Sequence, residues 1–235
     1  MSNIKPVYLL AGGRPRDSRS HNLILKSIFR ESGKESPIIA YSGTANDDNE
    51  DFFHRMTDTF SGSGAGCVTH APIAPENADI KKAKDILKEA DIIFIGGGDV
   101  YRGMRVLREK NVLIFMKNLY ENGKLFFGSS AGAIMLAKEW VRWPDPDNSS
   151  RAELFPCLDF APVICDCHDE EYGWEELKTA LRLKEDRTIG YGLTAGSAVK
   201  VSPEGNVEVV DGVVHPYIRH GGNIDRMTDM RQAIS

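Results

Sequence analysis

The 235-residue chain is 41% hydrophobic and 27% charged, with a net charge of −5, which suits a globule and excludes a disordered or fibrous chain. Its basic residues are scattered, so nothing in its charge favours nucleic acid or an anionic membrane as partner. Four cysteines do not make a disulfide scaffold, and no apolar run approaches the roughly 18 residues of a membrane span.

The start, Met1-Ser2-Asn3-Ile4-Lys5-Pro6, carries no charged-then-apolar leader, so the cytoplasm is the expected compartment. Residues 1–235 are expected to form a single domain, because the length suits one α/β unit better than two. Short apolar runs alternate with helix-period segments, which predicts a mostly parallel sheet with helices on both faces.

Val7 to Leu10 reads as the first strand, closed by Gly12-Gly13. A helix is expected from Asn22 to Glu31 and a strand from Pro37 to Ala40. Asn46 to Phe60 has an acidic start and an amphipathic helical period, and Ser61-Gly62-Ser63-Gly64 ends it. A short strand at Cys67-Val68-Thr69 precedes a helix from Asn77 to Ala90. Asp91-Ile92-Ile93-Phe94-Ile95 is the unbroken apolar run of a central parallel strand covered on both faces. Lys124-Leu125-Phe126-Phe127 is a second such strand, and a helix is expected from Ala131 to Lys138.

Residues 141–161, rich in Pro and Asp, read as loop. Pro162 to Cys165 reads as a strand, Tyr172 to Leu183 as a helix and Thr188 to Tyr191 as a strand. Ala198 to Val201 and Val207 to Val210, joined by Pro203-Glu204-Gly205-Asn206, suggest a C-terminal β-hairpin. The polar tail from Gly221 is expected to be loosely held.

Chemistry concentrates at Gly128-Ser129-Ser130-Ala131-Gly132. This G-x-S-x-G run sits between a buried strand and a helix, the context of a nucleophile elbow. The small flanking residues tolerate a strained turn that lifts the Ser130 hydroxyl to the sheet's carboxyl edge. An oxyanion hole needs the amide after the nucleophile, here Ala131, and a donor from a neighbouring loop. Gly96-Gly97-Gly98 ends another apolar strand at the same edge, so Gly97 and Gly98 are the candidate donors. The triplet with Asp99-Val100-Tyr101 matches neither a dinucleotide fingerprint nor a phosphate-binding Walker loop.

Ser130 also needs a base, and that base an orienting acid. His21 and His54 fall in predicted helices, His70 ends a strand ahead of the elbow, and His215 and His220 lie beyond the hairpin. His168 follows a short strand and is the preferred base. Asp145 and Asp147 in the intervening loop are the acid candidates, since Asp166 and Asp169 lie too near His168 in sequence to face its ring. Cys165, Cys167 and His168 lack zinc-knuckle spacing, and alternation sends the cysteines and the histidine to opposite faces, so no metal or cofactor is expected.

Phe127-Gly128-Ser129-Ser130-Ala131-Gly132-Ala133, preceded by Ile95-Gly96-Gly97-Gly98-Asp99, resembles the dipeptidase E and cyanophycinase family of serine peptidases. The resemblance runs from about residue 5 to about 215, through Leu154-Phe155-Pro156, His168-Asp169-Glu170 and Gly190-Tyr191-Gly192-Leu193. It implies a flavodoxin-like three-layer sandwich similar to class I glutamine amidotransferases, and hydrolysis of a small peptide substrate. It also implies Ser130 as nucleophile, His168 as base, Asp145 as acid, and oxyanion donors at the glycine triplet and Ala131.

Three positions depart from the family pattern. Asp99 stands where Asn is usual, Cys167 where Pro precedes the histidine, and Trp174 at the offset of an Arg that suits a substrate carboxylate. Asp99, Arg102 and Trp174 are therefore the expected substrate-contacting positions, and the acidic stretch after His168 suits a basic substrate group. A divergent member that only binds a small peptide or anion in the same pocket is the alternative.

Overall fold

A computed structural model describes residues 4–12, 18–144 and 151–232. Five strands run parallel: β1 (Val7–Leu10), β2 (Ile38–Ser42), β3 (Cys67–His70), β4 (Ile92–Ile95) and β5 (Leu125–Ser129). β10 (Ala198–Val201) and β11 (Val207–Asp211) extend the sheet antiparallel beside β1, giving the order β11-β10-β1-β5-β4-β2-β3.

Alternation along the strands divides the core by face. Tyr8, Leu10, Ile92, Phe94, Leu125 and Phe127 pack on one side with Leu25, Ile28 and Phe60 from α1 (Ser18–Ser32) and α2 (Glu50–Gly62). Val7, Leu9, Ile93, Ile95 and Phe126 face the other side, against Leu87, Leu107 and Met116. Those three come from α3 (Ile80–Glu89), α4 (Val100–Glu109) and α5 (Leu113–Glu121). This is the three-layer α/β sandwich that the alternating pattern predicts. Side chains of Asn49, Asp79 and Asp99 accept from the amides of Phe52, Lys82 and Arg102, capping α2, α3 and α4.

After the elbow come α6 (Ala131–Leu136) and a second sheet. β8 (Ile164–Cys167) lies parallel to β9 (Ile189–Leu193), followed by β12 (Val213–His220) and β13 (Asn223–Arg226), with β14 (Met230–Arg231) on β12. Cys165, Cys167 and Leu193 join the main core, while Ile164 and Tyr217 pack against Leu177 and Leu181 of α7 (Glu175–Arg182).

Two expectations need correction. The segment read as loop from 141 contains the hairpin β6 (Glu139–Arg142) and β7 (Glu153–Pro156), because Val141 and Phe155 are buried and outweigh the flanking Pro and Asp. The region from Gly221 pairs with β12 through β13 and β14. Backbone pairing there does not depend on the apolar alternation by which strands are recognised. The candidate acids Asp145 and Asp147 lie outside the described residues.

The strand order reverses between the parallel neighbours β2 and β4, β2 leading outward to β3 and β4 back to β5, which opens a crevice at the carboxyl edge. The 3-10 turn Thr44–Asn46 after β2 meets the glycine triplet after β4 there: Gly96 donates to Ser42 O at 2.9 Å and Asp99 to Ala45 O at 2.8 Å. The elbow opens onto the same edge.

Candidate active site

Ser130 has φ 55° and ψ −124°, a backbone state that side-chain-bearing residues rarely adopt and that strains the turn. Its neighbours leave no alternative. A Cβ at Gly128 would lie 2.4 Å from Gly132 O, and one at Gly132 2.1 Å from Ile95 O, so strand and helix interlock through two glycines. Ser130 N donates to Leu10 O at 2.9 Å, tying the elbow to β1. Ser130 O accepts from Ala133 N at 2.9 Å and Ile134 N at 3.2 Å, starting α6.

His168 arrives from the other sheet. It follows β8 with φ 46°, and its amide donates to Leu193 O of β9 at 2.9 Å. That anchored turn carries the ring off the Cys165–Cys167 face and brings Nε2 to 2.7 Å from Ser130 Oγ. Among the described residues no hydrogen bond to His168 Nδ1 is seen. Of the other histidines, His70 Nε2 lies 3.3 Å from Asp48 Oδ1, His215 3.9 Å from Asp229 and His220 4.0 Å from Asp225.

The glycine triplet borders the elbow. A Cβ at Gly97 would lie 3.2 Å from Ser130 Cβ and 3.8 Å from Oγ, and Gly98 takes φ +145° with its Cβ position only 2.0 Å from Ala45 O. Asn46 Nδ2 donates to Gly97 O at 2.8 Å, fixing the triplet's orientation. The amides of Gly98 and Ala131 take no partner among the described residues, which leaves them free to receive negative charge beside the hydroxyl.

A cleft of about 310 Å³ adjoins the pair, lined by Gly98, Asp99, Val100, Ser130, Ala131, Ile134, Trp140, Asp166, Cys167, His168, Asp169, Tyr172 and Glu176. Asp99 lines it and also caps α4, accepting from Arg102 N at 2.6 Å. Arg102 turns away and donates to Asp47 Oδ2 at 2.6 Å. Trp174 is only 2% exposed and packs beneath β9, where a Cβ on Gly192 would sit 2.7 Å from its ring. The structure therefore brings Asp99 to the cleft but not Arg102 or Trp174, whose size and burial make it a core residue of α7's packing.

The sequence reading weighed Asp166 only as an acid for His168, took Glu176 only as part of the acidic stretch after it, and missed Trp140 and the positioning residue Asn46. Asp166 did carry a signal: it is a carboxylate inside the otherwise apolar run Ile164-Cys165-Asp166-Cys167, and such residues seldom stay buried without a task. Burial first, then the charge of Glu176, pushes the Asp166 carboxyl up to about 7. Glu176 and Asp169 are also shifted upward, chiefly by burial. Glu176 Oε2 accepts from Trp140 Nε1 at 2.8 Å.

Four similarities bear on this site. Peptidase E of Haemophilus influenzae (strain Rd) is 30% identical over 129 residues, covering 52% of this chain and 59% of that protein. Peptidase E of Salmonella gallinarum is 28% identical over 144 residues, covering 56% and 61%. The matched segments thus span less than two thirds of the curated relatives' length. In structure, the chain is similar to a peptidase from an acI-B1 actinobacterium, with a TM-score of 0.68 over 97% of both chains at 16% identity, a likeness of fold. The model of peptidase family S51 matches residues 7–209. The chain belongs to that family.

Proposed function

We propose that this member of peptidase family S51 is a serine exopeptidase that hydrolyses short peptides through an acyl-enzyme on Ser130. The observation that carries the reading is the 2.7 Å approach of Ser130 Oγ to His168 Nε2, made across two separate sheets. With Nε2 unprotonated, the hydroxyl donates to it and loses its proton to it as Oγ attacks the scissile carbonyl. The amides of Gly97, Gly98 and Ala131 border the space in which the carbonyl oxygen becomes negative, and fixed donors there stabilise the tetrahedral intermediate. His168 then returns the proton to the leaving amine. Water, deprotonated by the same ring, releases the acid product.

Asp145, between elbow and base in sequence, is our proposed acid for His168. Asp99 at the mouth of the cleft is a proposed substrate contact. The continuous main core, which takes residues from both sheets, supports residues 1–235 as one peptidase domain. We place the protein in the cytoplasm, in keeping with its four cysteines, all of them free.

A serine-directed phosphonate should add a single mass label at Ser130, and Ser130→Ala should abolish both the label and the hydrolysis of a dipeptide library. A label on another serine, or turnover that survives the substitution, rules the mechanism out. Asp145→Asn should lower kcat by about a hundredfold or more, since an unoriented imidazole is a poor base.

A further inference from the structure

Asn46, in the turn after β2, does not line the cleft, yet both ends of its side-chain amide are engaged. Oδ1 accepts from Asn49 N at 3.1 Å. Nδ2 carries two hydrogens, one directed to Gly97 O at 2.8 Å and one to Tyr41 Oη at 3.1 Å. Turning the amide over would set two acceptors together at Gly97 and two donors together at Asn49. The network therefore fixes which end faces the glycine triplet.

The surroundings are shaped to hold this amide. A Cβ at Gly43 would lie 2.7 Å from both Asn46 Oδ1 and Tyr41 Oη, and one at Gly96 would lie 3.3 Å from Asn46 Nδ2. The turn is itself anchored. Asn46 N donates to Gly43 O at 2.8 Å, and the Asp48 carboxylate ties Gly43 N to the amides of Ile73 and Ala74.

What the anchoring holds is the Gly97–Gly98 peptide. It has glycine on both sides, so no Cβ resists its rotation. Across a trans peptide the carbonyl and the following N–H point in opposite directions. Holding Gly97 O toward Asn46 thus sends Gly98 N–H away from the turn, into the cleft that Gly98 and Ser130 both line. A hydrogen bond accepted by the carbonyl also strengthens the N–H of the same amide as a donor.

We propose that Asn46 is a positioning residue for the oxyanion hole: it locks the Gly97–Gly98 peptide in the orientation that presents Gly98 N–H to the developing oxyanion. Without it the peptide turns over and presents the Gly97 carbonyl, which repels negative charge. Asn46 acts from outside the cleft and touches no substrate. The assignment deepens the reading of Ser130 as an acyl-transfer nucleophile and rests on it.

The test uses the full chain and the most rapidly cleaved member of a dipeptide library. Asn46→Asp keeps the shape and the acceptor for Asn49 N but sets an oxygen against Gly97 O. At about pH 8 its kcat should fall by about tenfold or more, with KM changed less than about threefold, because the lost donor acts on the transition state. As pH falls toward about 5 the introduced carboxyl takes up a proton and can again donate to Gly97 O. The ratio of variant to wild-type kcat should then climb by about threefold or more. A residue that only stabilised the turn would give a ratio indifferent to pH. An equal loss at both pH values, or a kcat within about twofold of wild type, overturns the proposal.

Asn46→Ala gives a readout that needs no catalysis, and it answers if Asn46→Asp does not fold. Its crystal structure should show the Gly97 carbonyl turned toward Ser130. A peptide that keeps its orientation overturns the role of Asn46, whatever the rates. Failure of the phosphonate to label wild-type Ser130 counts against the nucleophile alone.

Discussion

Removing the charge of Asp166 while keeping its shape should make the protein more stable. The folded environment holds this carboxyl near 7 instead of 3.8. At 1.36 kcal/mol for each tenfold change in acidity, the gap corresponds to about 4 kcal/mol against the ionised form. At 5% exposure solvent screens little of that, but Glu176 and Asp169 share the repulsion, so Asp166→Asn should recover about 2 to 4 kcal/mol. The sign follows from proton binding. Between about pH 4 and 7 the folded state holds a proton that the unfolded state has released, so this group's contribution falls as pH rises and levels off above 7.

Urea unfolding of wild type and Asp166→Asn at pH 4, 5.5, 7 and 8.5 isolates the effect of Asp166 and its coupling to Glu176 and Asp169, because titrating groups remote from it cancel in the difference. The variant's advantage should be near zero at pH 4 and full at pH 8.5, where Tm should rise by roughly 5 to 10 °C for a chain of this size. A difference that does not change with pH, or a wild type more stable at pH 8.5, would refute the reasoning.

Three further outcomes follow from local geometry. Ser130→Gly should abolish turnover yet raise stability by about 1 kcal/mol in urea, since glycine accepts φ 55°, ψ −124° without the strain a serine bears there; a destabilised variant contradicts the strained elbow. Gly98→Ala should cost more than about 2 kcal/mol and depress kcat, because its Cβ position is 2.0 Å from Ala45 O at φ +145°; a fully active, stable variant would show that the triplet yields. Asp48 accepts from the amides of Gly43, Ile73 and Ala74 at 2.7 Å each. Burial opposes its ionisation, but His70 and these amides outweigh burial and hold its carboxyl below the usual range. Asp48→Ala should therefore cost about 3 to 5 kcal/mol at pH 7 by urea midpoint, with Asp48's own contribution lost only as pH falls below about 4; a cost under about 1 kcal/mol counts against it.

The sandwich was legible because its strands are continuous apolar runs. Ile92 to Ile95 are each 0 or 1% exposed, as a strand covered on both faces requires. The elbow was legible for a steric reason: Gly128 and Gly132 occupy places where any side chain would collide with backbone. The β6–β7 hairpin was hidden because Pro144 and Asp145 sit beside strands that only tertiary packing reveals. Trp174 drew attention by its sequence offset from His168, yet what decides its position is the space left by Gly192, which no local pattern encodes. Asp166 and Glu176 converge from a strand and a helix of different local period, so only the docking of α7 on β8 makes them neighbours.

The pairing of Ser130 on one sheet with His168 on another gives the reactive distance a mechanical meaning. Neither sheet needs to lose its own hydrogen bonds for 2.7 Å to become a gap too wide for proton transfer; a slip of one layer over the other through α6 is enough. On the proposed mechanism, catalysis would be a gauge of how the two sheets are seated. Under gentle warming or low urea it should fade while each sheet's amides still resist exchange with deuterium. An engineer seeking a longer-lived enzyme would then reinforce the seam before either sheet.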